Sequence, residues 1–250
     1  MDLSGRTALV TGVSRRAGIG FAIVRRLQEA GTTAFVQGWT PHDAEQAWGA
    51  EPGGTAGVAG ELGVGHVEAD FADADAPARV IAAARAALGP LDILVVNHAR
   101  SGSGRLGELT AEQLDAFLHE NVRASILLVK EFAAQHEGGA GRVVLMTSGI
   151  HKEPMTGELA YAVSKGALLV ATSTLADELA DRSITVNCVN PGPTDTGWGL
   201  AEIDAVGRMP AGRWGEPDDA ARLIAWLCSD DARWLTGQVI DSEGGFRRSK

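Results

Sequence analysis

A tyrosine and a lysine four residues apart, Tyr161 and Lys165, could move a proton. On a helix they share one face, a turn apart. An ammonium beside a phenol favours the phenolate, lowering a pKa of ordinarily about 10 toward neutrality. A phenol so tuned can act as a general acid or base. Ser148 and Asn121 stand upstream as further polar candidates. The same spacing also describes any surface tyrosine and lysine on an amphipathic helix, so the surrounding elements must decide between the two readings.

Those elements alternate. Thr7-Ala-Leu-Val10 is a short apolar run that reads as a buried strand, and Gly18-Ile-Gly20 opens the helical pattern that closes at Gly31. Thr33 to Gly38 is a second strand, Val64 to Asp70 a third, and Leu91 to Asn97 a fourth, apolar enough to be buried on both faces. Gly141 to Ser148, Ile184 to Asn190 and Gln238 to Ile240 complete the strands. Helices are expected over Pro77–Leu88, from Thr110 through Asn121 to about His136, over Glu158–Asp181 around the Tyr161 pair, and over Pro217–Cys228. Thr110 with Gln113 forms a capping box. Residues 41–64 read as a loop with a short helix and no assigned chemistry. The alternation predicts an α/β, doubly wound parallel sheet of about seven strands with helices on both faces. No composition break marks a second domain.

The first strand, glycine-rich turn and helix form a phosphate-binding arrangement. Glycines let backbone N–H groups approach a pyrophosphate, and the helix N-terminus adds a favourable dipole. The tip of the second strand, Gln37-Gly38-Trp39-Thr40, carries no acid until Asp43, and Arg15 and Arg16 lie in the nearby turn. A neutral tip with arginines favours NADP(H), which carries a 2′-phosphate, with NAD(H) as the alternative.

The chain has 250 residues and a net charge of −10, without a basic run longer than a pair before its C-terminal tail. Nucleic acid is therefore not expected as a partner. No apolar run reaches spanning length, and the N-terminus enters a strand at once, so neither signal peptide nor membrane anchor is expected. Cys188 and Cys228 sit in apolar contexts, which fits a cytoplasmic protein with buried thiols. The histidines (His42, His66, His98, His119, His136 and His151) show no ligand spacing, and no metal site is expected.

Taken together, Thr11-Gly12…Gly18-Ile-Gly20, Asp70, Asn97, Asn121, Ser148, Tyr161-x-x-x-Lys165 and Asn190-Pro-Gly192…Thr196 resemble the short-chain dehydrogenase/reductase family nearly end to end. The thirteen-residue step from Ser148 to Tyr161 and the tail motifs Gly212-Arg-Trp-Gly-Glu-Pro217 and Leu235-Thr-Gly-Gln238 resemble its 3-oxoacyl-carrier-protein reductase branch. The resemblance implies a single-domain Rossmann fold and hydride transfer between a nicotinamide and a ketone or secondary alcohol, with a dimer or homotetramer as the assembly. It casts Tyr161 as general acid or base and Lys165 as the group that lowers its pKa. Ser148 would hold the substrate oxygen, and Asn121 at a helix kink would hold a water of the proton relay. It places Gly12, Ser14, Arg15, Arg16, Gly18, Ile19, Gly20, Gly38 and Trp39 along the phosphates and adenosine. Asp70 and Phe71 would meet the adenine, and Asn97, His98 and Ala99 would line the cofactor. Pro191, Gly192, Thr194 and Thr196 would flank the carboxamide.

The sequence departs from the family twice. Five residues, instead of three, separate Gly12 from Gly18, and the family's Asn-Asn-Ala-Gly appears as Val96-Asn97-His98-Ala99. These departures motivate a second reading, a dinucleotide-binding sensor without turnover. Substrate specificity is expected from loops beyond the strand ends: Arg100, Ile150, His151 and Lys152, and a lid over about 195–212. Trp198, Leu200, Ile203 and Met209 would give that lid its apolar inner face.

Overall fold

The computed structural model describes residues 1–197 and 206–248. Trp198, Leu200 and Ile203 lie outside the described residues. Seven parallel strands form one sheet: β1 (Thr7–Val10), β2 (Thr33–Gly38), β3 (Gly65–Glu68), β4 (Ile93–Val96), β5 (Gly141–Met146), β6 (Ile184–Asn190) and β7 (Val239–Asp241). Their spatial order is β3-β2-β1-β4-β5-β6-β7. The order reverses between β1 and β4, which pair in register as Val10 opposite Val95. In such sheets the crevice at the reversal is the natural ligand site.

Alternation along each strand divides the core in two. Val10, Val95, Val144 and Val189 face one layer, packed by α1 (Ile19–Glu29), α3 (Gly54–Leu62) and α8 (Pro217–Cys228). Leu9, Leu94, Val143 and Cys188 face the other, packed by α4 (Ala76–Leu88), α6 (Ala124–Gln135) and α7 (Leu159–Leu179). A period-two pattern thus serves both faces at once, which is why these strands read as continuous apolar runs.

Three differences from the expected elements bear on function. First, the segment read as a loop with one short helix holds two helices: α2 (Thr40–Ala44) precedes α3, whose flanking Gly53 and Gly63 have φ values of 79° and 66°. Only glycine takes that left-handed geometry without strain. Buried Val58, Ala59 and Leu62 show that packing on the core, rather than helix propensity, makes this helix. Second, the helix begun by the Thr110–Gln113 capping box is interrupted. Helix α5 (Ala111–Phe117) passes into a π-turn, Leu118–Arg123, before α6. Third, Leu159–Arg182 is long and apolar enough, by length and composition, to span a membrane, with a mean hydropathy of 1.3, contrary to the expectation that no run reaches that length. Here α7 lies against β5, β6 and the π-turn as a layer of the fold.

Candidate active site

The crevice at the β1/β4 reversal is a cavity of about 260 Å³ running from Trp39 and Asp70 to Tyr161. Its floor is built by close backbone approach. Gly12 has φ 69°, and a Cβ there would sit 2.7 Å from the His98 Cα. A Cβ on Gly20 would lie 2.6 Å from the Gly12 carbonyl. Asn97 Nδ2 donates to the carbonyls of Thr11 (3.1 Å) and Gly12 (3.0 Å), joining the ends of β1 and β4. Gln37 accepts from the Gly12 amide at 3.1 Å and donates to the Ala69 carbonyl at 2.8 Å. Its side chain therefore braces the turn. The first turn of α1 has no acidic residue, and Gly18 at its N-cap provides no capping side chain. Its open N–H groups suit an anion, and the set fits a dinucleotide pyrophosphate.

Of the expected cofactor residues, Gly12, Ser14, Arg15, Gly18, Ile19, Trp39, Asp70, Phe71, Asn97, His98 and Ala99 line this cavity. Gly20 and Gly38 act beneath it, where a Cβ on Gly38 would collide with Thr55. Arg16 does not face the cleft. Its guanidinium pairs with Glu51 (2.7 Å) and Glu61 (2.5 Å), an outward placement allowed by the longer turn. Arg15 does face it: its guanidinium stacks 4.7 Å over Trp48 and donates to the Thr196 carbonyl. The segment assigned no chemistry supplies His42, Asp43 and Trp48 to the same wall, and Trp48 Nε1 donates to Asp43 Oδ1 at 3.0 Å. The sequence signal for this was weak: a tryptophan and an acid just beyond the second strand, in a glycine-rich stretch.

Behind Tyr161 the polar groups interlock. Asn121, buried in the π-turn, accepts from the Arg100 amide (2.7 Å) and donates to the Arg100 carbonyl and the Ser164 hydroxyl (both 2.9 Å). Ser164 in turn donates to the Tyr161 carbonyl at 2.8 Å. Lys165 is buried, and its Nζ donates to the Met146 carbonyl at 2.9 Å, at the end of β5. It stands 5.9 Å from the Tyr161 ring centroid. The expected depression of the tyrosine pKa is not found in this arrangement. Burial pushes the phenol up to about 12, opposed by the Ser148 hydrogen bond and reinforced by the charge of Glu158. Burial also pushes the Lys165 amine down to about 8. Spacing puts the two groups on one face, but the lysine's proton points at a backbone carbonyl.

His98, the departure from the family motif, has a complete set of partners. Its Nε2 lies 2.9 Å from the Glu120 carbonyl, which can only accept, so Nε2 carries the proton. Nδ1 then accepts from the Thr11 hydroxyl at 2.8 Å. The ring centroid lies 4.1 Å from that of Phe71. Burial pushes this imidazole down to about 3, and the Lys165 charge acts in the same direction. His98 is thus a neutral strut between the end of β1 and the π-turn.

A second cavity, about 530 Å³, opens on the other side of Tyr161. Ser148, Pro191, Gly192, Thr194 and Thr196 line it as expected, and Tyr161, Thr196 and Ile19 line both cavities. Four candidate substrate residues are placed elsewhere or engaged. His151 Nε2 lies 3.0 Å from Asp241 Oδ1 and Lys152 Nζ 2.5 Å from its Oδ2, because the Gly149–His151 turn aims both side chains toward β7. Ile150 opens onto a separate shallow hollow beside Leu106 and Val163. Arg100 lines the first cavity, with its charge engaged by Glu120 at 2.6 Å. Met155, Phe246 and Arg248, which carried no motif, line the second cavity instead, together with Trp214 of the Gly212–Pro217 motif. Met209 is buried, and its Cε would meet a Cβ on Gly244 at 3.1 Å.

Comparison with known proteins places this geometry. Residues 12–247 match the family model described as enoyl-(acyl carrier protein) reductase. The uncharacterized oxidoreductase YjdA of Bacillus subtilis (strain 168) is 42% identical over 251 residues, covering 97% of each chain. A short-chain dehydrogenase from Burkholderia cenocepacia J2315, crystallised in complex with NADP, superposes with a TM-score of 0.84 at 35% identity, over 98% of this chain and 99% of that one. A blue fluorescent protein from a metagenomic library, in complex with NADPH, superposes at 0.85 and 33% identity, over 98% of this chain and 99% of its own. With a seven-stranded parallel sheet, a glycine turn at its reversal and relatives of this kind along nearly its whole length, the chain belongs to the short-chain dehydrogenase/reductase family of NAD(P)-dependent oxidoreductases.

Proposed function

We propose that this enzyme is an NADP(H)-dependent carbonyl reductase or alcohol dehydrogenase of 3-oxoacyl-reductase type, with Tyr161 as the proton-transfer group. The observation that carries the reading is the position of Tyr161. It lines both the dinucleotide cleft and the second cavity, with Ser148 beside it in the latter. When bound, the nicotinamide supplies or accepts the hydride. A pKa pushed up to about 12 keeps Tyr161 protonated near neutrality, the form that donates to a carbonyl oxygen in reduction. Ser148 holds that oxygen. Lys165 keeps a cation 5.9 Å from the ring, where it favours the phenolate once the proton has left. Asn121 fixes the π-turn through which a proton is resupplied.

NADP(H) is favoured because Arg15 lines the adenosine end of the cleft and because two structural neighbours hold NADPH or NADP. NAD(H) is the second reading: buried Asp43 lines the same end and could accept a ribose 2′-OH. Paired titrations of NADPH and NADH, followed by protein fluorescence, separate the two. Tyr161→Phe is expected to lower kcat by about 10²–10⁴-fold while NADPH still binds. Undiminished turnover would remove Tyr161 from the mechanism, and cofactor binding without turnover of any ketone or alcohol would favour the sensor. The same reading includes one domain with a lid over about 195–212, a cytoplasmic location and a homotetrameric or dimeric assembly. The net charge of −10 disfavours docking of an acidic carrier protein.

A further inference from the structure

The C-terminal tail forms a wall of the second cavity. The Phe246 ring lies between two guanidinium groups, 4.5 Å from Arg208 and 5.2 Å from Arg248. Arg208 donates through Nε to the Arg247 carbonyl at 2.7 Å and through Nη2 to the Arg248 carbonyl at 2.5 Å. Arg248 makes a two-point pair with Glu243, one arm of it Nη1 to Oε2 at 2.7 Å. The Glu243 side chain is 8% exposed and also accepts from Asn190 Nδ2 at 2.7 Å. Glu153 lies 3.5 Å from Arg208 and 3.9 Å from Arg248. Both cations of the wall are thus matched by carboxylates of the wall.

This balance selects against an anion. A carboxylate or phosphate on the substrate would find both arginines among the described residues of the wall already engaged by Glu153 and Glu243. To recruit Arg248 it would have to break a forked pair and leave a buried glutamate uncompensated, an unfavourable exchange. What the cavity offers instead is apolar surface from Met155, Trp214 and Phe246 around about 530 Å³, a size suited to a small organic molecule. Building on the proposed reductase activity, we infer that the tail determines specificity and that the substrate carries a neutral, apolar arm. An aryl or branched alkyl ketone fits; a keto acid or a thioester on an anionic carrier does not. Phe246 is the residue that packs on this arm, and the Arg248–Glu243 pair holds it in place.

The test compares three ketones with NADPH: a minimal dialkyl ketone, an aryl alkyl ketone, and the same aryl ketone bearing a ring carboxylate. The wild-type enzyme is expected to favour the neutral aryl ketone over its carboxylate at least tenfold in kcat/KM. In Phe246→Ala the ratio of kcat/KM for the aryl ketone to that for the minimal ketone should fall about tenfold, mainly through KM. Phe246→Tyr should keep the ratio, and Arg248→Met should lower it. An NADPH titration of each variant confirms a folded cleft. Equal or better turnover of the carboxylate, or an unchanged ratio in both Phe246→Ala and Arg248→Met, would overturn the inference. Those outcomes leave the reductase reading intact, whereas NADPH binding without turnover of any ketone refutes the reductase reading and this inference with it.

Discussion

Tyr161 is the chain's single tyrosine, so its ionisation can be read alone in near-ultraviolet absorbance. The sequence set a lysine one turn away and predicted a lowered pKa; the structure encloses the phenol, turns the lysine to the Met146 carbonyl, and raises the pKa to about 12. The folded protein free of cofactor should therefore show almost no phenolate at pH 10, where a free tyrosine is half ionised. Half-ionisation near pH 8 would mean that Lys165 governs the group after all. The same shift acts on stability. A folded pKa above the unfolded one favours folding below pH 10, and that contribution is lost as the pH rises from about 10 toward 12.

Among the elements, the π-turn at Leu118–Arg123 does the most for the site. A π-turn displaces carbonyls from the regular ladder, and such turns recur at functional sites. Here the Glu120 carbonyl meets His98 Nε2, and the Asn121 carbonyl accepts from the Ser125 hydroxyl at 2.6 Å. The Asn121 side chain then ties α7 and the loop after β4 to the same turn. Asn121→Ala removes three hydrogen bonds, one to the buried Ser164 hydroxyl and two to the half-buried Arg100 backbone, at a cost of roughly 1–3 kcal/mol. At about 2–4 °C per kcal/mol for a chain of this size, the melting temperature should fall by several degrees in a thermal scan. An unchanged midpoint would show that the π-turn holds without its asparagine.

For the whole molecule, one face of α7 is left apolar. Leu159, Val163 and Val170 are 37, 47 and 73% exposed, and their spacing of four and seven places them on one stripe of the helix. Apolar surface of this kind favours self-association. Light scattering should give a mass that is a multiple of 26.0 kDa, and Val163→Glu with Val170→Glu should shift it toward the single chain. A wild-type mass near one chain would remove both the assembly and the role given to this stripe.

Local pattern determined the framework. Period-two and helical runs named all seven strands and most helices, because hydrophobic periodicity is a property of neighbours in sequence. The capping box at Thr110 was legible for the same reason; Tyr161 and Lys165 stood out by type and spacing, and Ser148 and Asn121 through the family resemblance. Where α2 and α3 stand, only one short helix was legible: α3 is rich in glycine, and burial against the core makes it helical. Nor were the contacts that decide the chemistry. Arg15 reaches the Thr196 carbonyl across 181 positions, and Arg208 reaches Glu153 across 55. Tertiary structure alone decided which arginine faces the cleft, where the lysine's proton points, and that the tail forms a wall of the second cavity. Such pairings follow from chain closure and from how deeply each charge is taken out of water, quantities that no local window of sequence contains.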